Sequence, residues 1–255
     1  YYGGIIAMVV MIALAVYIII KNRAKTHKNN ETDDLFEKAL NTTNQEVIYE
    51  ALIQHNKESI SELLNLSKNI YTSIVNSFIK EDIKVLRKTS NDCRTAKEKM
   101  KQLKRKEIMI MRRLDDKMIN KNTWFHLSYN CIEQILYALR RICDPCKEYV
   151  DNSFTPLDKK YLKEVEELME KVLWSIETAD TTICSSDYRD IDAVMERIKI
   201  REEDVVKMSH EQMRRIQHDK GNIDLALLYL NIIQESSELI TEMRHILRSE
   251  AKMHE

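Results

Sequence analysis

Between Glu81 and Met118, side chains suited to a buried seam recur every three or four residues: Leu86, Thr89, Cys93, Ala96, Met100, Leu103, Glu107, Ile110 and Leu114. That period puts them on one face of an α-helix, as in a coiled coil, with Glu107 the single charged member. The same rhythm, interrupted by polar and turn-forming residues, predicts six long helices. The first starts at Thr43-Asn44-Gln45-Glu46, which fits a capping box led by the Thr43 hydroxyl, and runs to about Phe78. The second covers Glu81 to Met118. A third runs from about Asn122 to Cys143, where Pro145 is expected to end or kink it, because proline has no amide proton to donate. Thr155-Pro156-Leu157-Asp158 restarts the pattern with proline at the first helical position, and this fourth helix ends near Cys184. Ser185 and Ser186 suit the cap of a fifth helix, from Asp187 to about Asp219, with Ile191, Val194, Ile198, Val205 and Met208 inward. Gly221 suits the left-handed residue that closes it, and the sixth helix runs from Asn222 to about Lys252.

Ahead of these lies a different pattern. From Tyr1 to Ile20 no residue is charged, and at 1.5 Å per residue such a run spans roughly 30 Å, the hydrocarbon thickness of a bilayer. Lys21, Arg23, Lys25 and Lys28 follow directly, with no basic segment before the run. This is the arrangement of a stop-transfer helix whose C-terminal side stays in the cytoplasm, and it opposes a cleavable signal peptide despite the small residues Ala13 and Ala15. A helix that opens on Tyr1 without an initiator Met is expected to continue upstream sequence. The expected organisation is a transmembrane helix over 1–25, a polar linker over 26–44 with a helical turn around Leu35, Phe36 and Leu40, a first three-helix bundle over 45–152 and a second over 153–255.

Composition narrows the function classes. Three glycines and two prolines leave almost no material for strand turns or phosphate-cradling loops, so the fold class is all-α. Apolar residues at 44% suffice for a core, and a net charge of −1 gives no bulk preference for nucleic acid. Charge is nonetheless uneven: thirteen Lys or Arg against five acids from Lys84 to Lys117, and fourteen acids against eight bases from Asp158 to Asp204. Solvated faces with i,i+4 pairs explain most of this; contact of the basic helix with anionic lipid or an acidic partner is the sharper expectation. The five cysteines, mostly among apolar neighbours, read as reduced buried thiols of a reducing compartment.

The six helices hint at a repeat. Tyr129 and Tyr229 hold matching places in the third and sixth, Leu127 to Cys143 and Leu227 to Met243 share an apolar spacing, and the second and fifth open on the pairs Asp82-Ile83 and Asp190-Ile191.

Candidate chemistry is sparse. Ser209-His210-Glu211 has the look of a kinase phospho-acceptor box, but no proline follows and the glycines needed for a nucleotide-binding domain are missing. Cys143-Asp144-Pro145-Cys146 has redox-dithiol spacing but is expected at a helix end, where the dipole does not activate a thiol, and no second pair completes a zinc tetrad. Arg214, Arg215, His218 and Lys220 cluster at the end of the fifth helix, where cations favour the dipole; they are the candidate contact for phosphate, a lipid headgroup or a partner loop. No enzyme activity, catalytic residue, metal or cofactor is expected.

Glu211-Gln212-Met213-Arg214-Arg215-Ile216-Gln217, then Gly221, then Leu227-Leu228-Tyr229-Leu230-Asn231-Ile232-Ile233-Gln234-Glu235, together with the apolar opening Tyr2-Gly3-Gly4-Ile5-Ile6, resemble the PhoU-like tail after the last membrane helix of PiT-family inorganic phosphate transporters, in the form found in Bacteroidota-type bacteria. The resemblance covers the chain as a layout and is specific in residues over roughly the last fifty. It implies a pair of three-helix bundles on the cytoplasmic side of the bacterial inner membrane, acting as the regulatory domain of a phosphate symporter whose transport helices lie upstream. The membrane-embedded part of the transporter, anionic lipid and a second copy of the chain are the expected partners. PhoU proteins bind metal through Glu/Asp-x-x-x-Asp pairs. Here Glu46 and Glu50, Glu58 and Glu62, and Glu166 and Glu170 keep the spacing, but no pair ends in Asp. The competing expectation is a single-span signalling or scaffold protein with a rod-like cytoplasmic coiled coil.

Overall fold

The computed structural model describes residue 17 and residues 33–153, 159–218 and 221–255. The apolar run from Tyr1 to Ile20 lies outside the described residues apart from Tyr17, as does the Thr155-Pro156-Leu157-Asp158 restart. Among the described residues there is no strand, and no helix is long and apolar enough to cross a membrane. The all-α class is as expected. A helix over residues 33–41 (α1) is followed by α2 (Gln45–Ile79), α3 (Ile83–Met111), a single 3₁₀ turn at Asp116–Met118, α4 (Ile119–Ser153), α5 (Lys159–Ser185), α6 (Ile191–His218) and α7 (Ile223–His254).

The helix ends show which local rule governs each. Asn44, not Thr43, caps α2: its Oδ1 accepts from the amides of Glu46 and Val47 at 3.0 and 3.4 Å, because an Asx side chain reaches both at once. At the other end Glu81 takes the left-handed conformation (φ 59°), with the Asp82 amide bonded to the Ser77 carbonyl and the Glu81 amide to that of Phe78, a Schellman motif built without glycine. Ser186 (φ 53°) does the same after α5. The close of α6 at residues 219–220 lies outside the described residues; α7 then starts at Asn222, whose Oδ1 caps the Leu225 amide. The third expected helix does not stop at Cys143 but continues as α4 through Pro145 to Ser153.

Proline leaves the carbonyl four residues back without its helical donor, which here is that of Arg141. Asn231 of α7 supplies the replacement, its Nδ2 donating to that carbonyl at 2.9 Å. A tertiary hydrogen bond therefore keeps the helix continuous. Asn231→Leu is expected to destabilise the protein by about 1 kcal/mol in urea unfolding, because the carbonyl loses its donor at a partly hydrated position. Pro145→Ala should recover most of that loss by restoring the amide.

One apolar cluster draws on all six long helices, from Ile60, Leu64 and Ile74 of α2 through Leu86, Leu139, Val172 and Ile198 to Ile233 and Ile246 of α7. The second-helix seam is realised closely: Leu86, Thr89, Cys93, Ala96, Met100, Glu107 and Ile110 are buried on α3. The expected fifth-helix face is also inward, with Ile198 and Val205 buried and Ile191, Val194 and Met208 packed against the core. The stretch read as a linker contains α1, whose Leu35, Phe36 and Ala39 join a smaller cluster with Ile48, Leu52, Ile110, Phe125 and Met253.

Helices α2, α3 and α4 pack on one another, α7 packs on α5 and α6, and the most extensive pairing is α4 with α7. These two run antiparallel: Ser128 meets Glu250, Cys131 meets Glu242, Arg141 meets Glu235, and Tyr149 meets Asn222. Cys131 of α4 lies against Glu242 and His245 of α7, while Asn231 of α7, at the corresponding position, lies against Arg141 of α4.

Candidate functional site

The Tyr129–Tyr229 correspondence marks two polar clusters, one on each side of the α4–α7 interface. In the first, Glu107 of α3 is 1% exposed and its carboxylate meets side chains from two other helices, α2 and α4. Tyr129 Oη donates to its Oε1 at 2.6 Å, His55 Nδ1 lies 3.0 Å from the same oxygen, and Asn56 Nδ2 donates to Oε2 at 3.0 Å. Burial, with the Glu107 charge beside it, pushes the Tyr129 phenol well up, which keeps it a donor. Ser59 Oγ stands 3.3 Å from His55 Nδ1, and the Phe36 ring of α1 covers the imidazole at 5.7 Å. The Tyr129 hydroxyl and the Asn56 amide donate to this buried carboxylate in place of water.

A second buried acid stands close by. Glu250 of α7, also 1% exposed, accepts from Ser128 Oγ at 2.9 Å. Burial raises its pKa to about 8, and the Glu107 carboxylate adds to the effect. Glu250 in turn adds to the upward push that burial exerts on the Tyr188 phenol, whose buried hydroxyl has no hydrogen-bond partner. The His254 ring packs on Tyr188 at 4.8 Å.

The other cluster also joins a tyrosine to an acid of its own set of helices, but that acid comes from α5, the first helix of its set, whereas Glu107 comes from the second. Tyr229 Oη donates to Glu164 Oε2 of α5 at 3.3 Å, and Arg215 of α6 grips both oxygens of that carboxylate, at 2.7 and 2.8 Å. Tyr161 stands edge-on to the Tyr229 ring at 5.0 Å. Here an arginine compensates the acid; around Glu107 stand a phenol, an amide and an imidazole.

The structure divides the four basic residues at the end of the fifth helix. Arg215 is committed to Glu164, so its fork is occupied. Arg214 and His218 are exposed, and Lys220 lies outside the described residues. His210 is exposed on α6, while Ser209 beside it is buried. Cys143 and Cys146 are wholly buried in the continuous α4, and burial pushes the Cys146 thiol far up, the reverse of redox activation. The buried acids themselves were only half visible in the sequence. Glu107 stood out as the charged member of an apolar seam, and Glu250 keeps helical register with Met243, Ile246 and Leu247, but nothing local shows that His55, Asn56 and Tyr129 converge on one carboxylate.

No family model matches the chain, and no curated protein or solved structure is similar to it.

Proposed function

We propose that the chain is a regulatory helical domain with no catalytic activity of its own, built as a PhoU-like pair of three-helix bundles and attached to an inorganic phosphate transporter of the bacterial inner membrane. The observation that supports the reading is the extensive pairing of α4 with α7, the last helix of each expected set of three, with Tyr129 and Tyr229 at matching places on them and each bonded to an acid from another helix of its own set. A duplicated three-helix unit, paired through its last helix, accounts for that arrangement. The uncharged run from Tyr1 to Ile20 with its basic flank supports attachment to the membrane on the cytoplasmic side.

In this reading the domain acts by how its helices pack. Two bundles joined along α4 and α7 can shift relative to each other at the interface, and the buried acids there set the energy of each arrangement. Exposed Arg214 and His218 remain the contact for an anionic headgroup or a loop of the transporter.

The test is uptake of radiolabelled phosphate by cells of the source organism carrying either the intact gene or one truncated before residue 33. The truncated form is expected to transport phosphate while losing the response of uptake to external phosphate. Unchanged uptake with an unchanged response would overturn the proposal.

A further inference from the structure

Cys131 of α4 and Glu242 and His245 of α7 bring a sulfur, a carboxylate oxygen and an imidazole nitrogen within 4.8 Å of one another. We propose that these three side chains bind one divalent transition-metal ion of the zinc class at the α4–α7 interface. The site does not depend on the phosphate-transport reading and uses none of the residues placed in the two tyrosine clusters.

The spacing is created by the helices. Glu242 and His245 are three apart, one turn on the same side of α7, and their facing atoms are 3.4 Å apart. Antiparallel packing then sets Cys131 against them. Ligand atoms around a tetrahedral zinc stand roughly 3.5 Å apart, given bonds of about 2.0 to 2.3 Å. The carboxylate–imidazole edge already has that length, and the sulfur edges need to close by no more than about 1.3 Å to reach it, within the range of rotamer adjustment of the exposed His245.

Compensation is the second argument. Glu242 is 6% exposed, and the polar groups that meet it are the Cys131 thiol, a weak donor, and the His245 ring. A buried carboxylate held only by these is poorly compensated, in contrast to Glu107 with a phenol, an amide and an imidazole and Glu164 with an arginine. A dication answers the deficit. On binding, metal–sulfur, metal–oxygen and metal–nitrogen bonds form, the thiol proton leaves to solvent, and thiolate and carboxylate together neutralise the ion without electron transfer. The mixed sulfur, nitrogen and oxygen set favours zinc over magnesium or calcium, which take oxygen alone. His245, with 47% of its side chain exposed, places the site at the edge of the core, where water can fill the fourth position.

Cobalt(II) tests this directly, because it takes zinc sites and reports a thiolate ligand by absorption. Reduced, metal-free full-length protein titrated with Co²⁺ is expected to develop a thiolate-to-cobalt charge-transfer band that saturates at one equivalent and is displaced by Zn²⁺. Cys131→Ser should abolish the band, Cys184→Ser, which removes the exposed thiol, should retain it, and His245→Ala should weaken binding by more than about 100-fold, beyond the loss typical of an outer-shell partner. The proposal is overturned if no band forms, if the band survives Cys131→Ser, or if it disappears with Cys184→Ser. If Cys131→Ser fails to fold, the surface variant His245→Ala decides: undiminished cobalt affinity would overturn the site.

Discussion

Replacing Glu107 with alanine is expected to destabilise the protein by about 3–5 kcal/mol, the range for breaking a buried, fully partnered charge. The carboxylate is the common partner of Tyr129, His55 and Asn56 from α4 and α2, so its removal takes a buried contact from all three, with Ser59 the nearby hydroxyl left beside His55, and opens a cavity among them. Domains of this kind are stable by about 5–15 kcal/mol, so the loss is a large share of the total. Tyr129→Phe removes one donor and leaves the other two in place, and should cost only about 1 kcal/mol. Urea unfolding followed by circular dichroism measures both. A Glu107→Ala penalty no larger than that of Tyr129→Phe would show that the three hydrogen bonds do not act as a unit.

Glu250→Gln is expected to stabilise the protein, and the gain should grow with pH. Burial raises the folded-state pKa of Glu250 from 4.5 to about 8, so between those values the native protein holds a proton that the unfolded chain releases. Unfolding therefore sheds a proton in that window, and wild-type stability falls as pH rises, by about 1.4 kcal/mol per pH unit from this group. Below pH about 4.5 both states are protonated and the penalty is absent. Glutamine keeps an acceptor for Ser128 and carries no charge, so the variant escapes the loss and should lead the wild type by about 3 kcal/mol at pH 7. Denaturant midpoints at pH 5 and pH 8 check this. A lead that does not widen between the two would mean that Glu250 is not held protonated by its surroundings. Because Glu107 contributes to the shift, the two acids respond together to changes at the α4–α7 interface, which is where the proposed regulation operates.

The α3 seam was legible because its burial follows local spacing alone. Seven residues read from the 3-4 rhythm, Leu86 to Ile110, are buried as expected, since a helix side chain's direction depends only on its position in the turn. Helix boundaries were less legible. Pro145 carried a strong stop signal, yet α4 passes through it because Asn231, distant in sequence, supplies the missing donor. After α2 and α5 the left-handed positions fell to Glu81 and Ser186, where no glycine marks the turn in the sequence. The polar stretch before α2 read as a linker, but Phe36 and Ala39 find apolar neighbours on α2, α3, α4 and α7 that no local window contains.

The sequence by itself determined that the chain is helical and which faces of α3 and α6 turn inward, because both follow from periodicity and from scarce glycine and proline. Only the tertiary structure decided which acids are buried and by what each is compensated: Glu107 by a phenol, an amide and an imidazole, Glu164 by Arg215, Glu250 by a serine, and Glu242 by a thiol and an imidazole. The reason is distance along the chain. A carboxylate's ionisation and its ligands depend on groups within a few ångströms, and here most of those groups lie from 22 to 122 residues away, brought together by the packing of α3 on α2 and α4, of α5 on α6 and α7, and of α4 on α7.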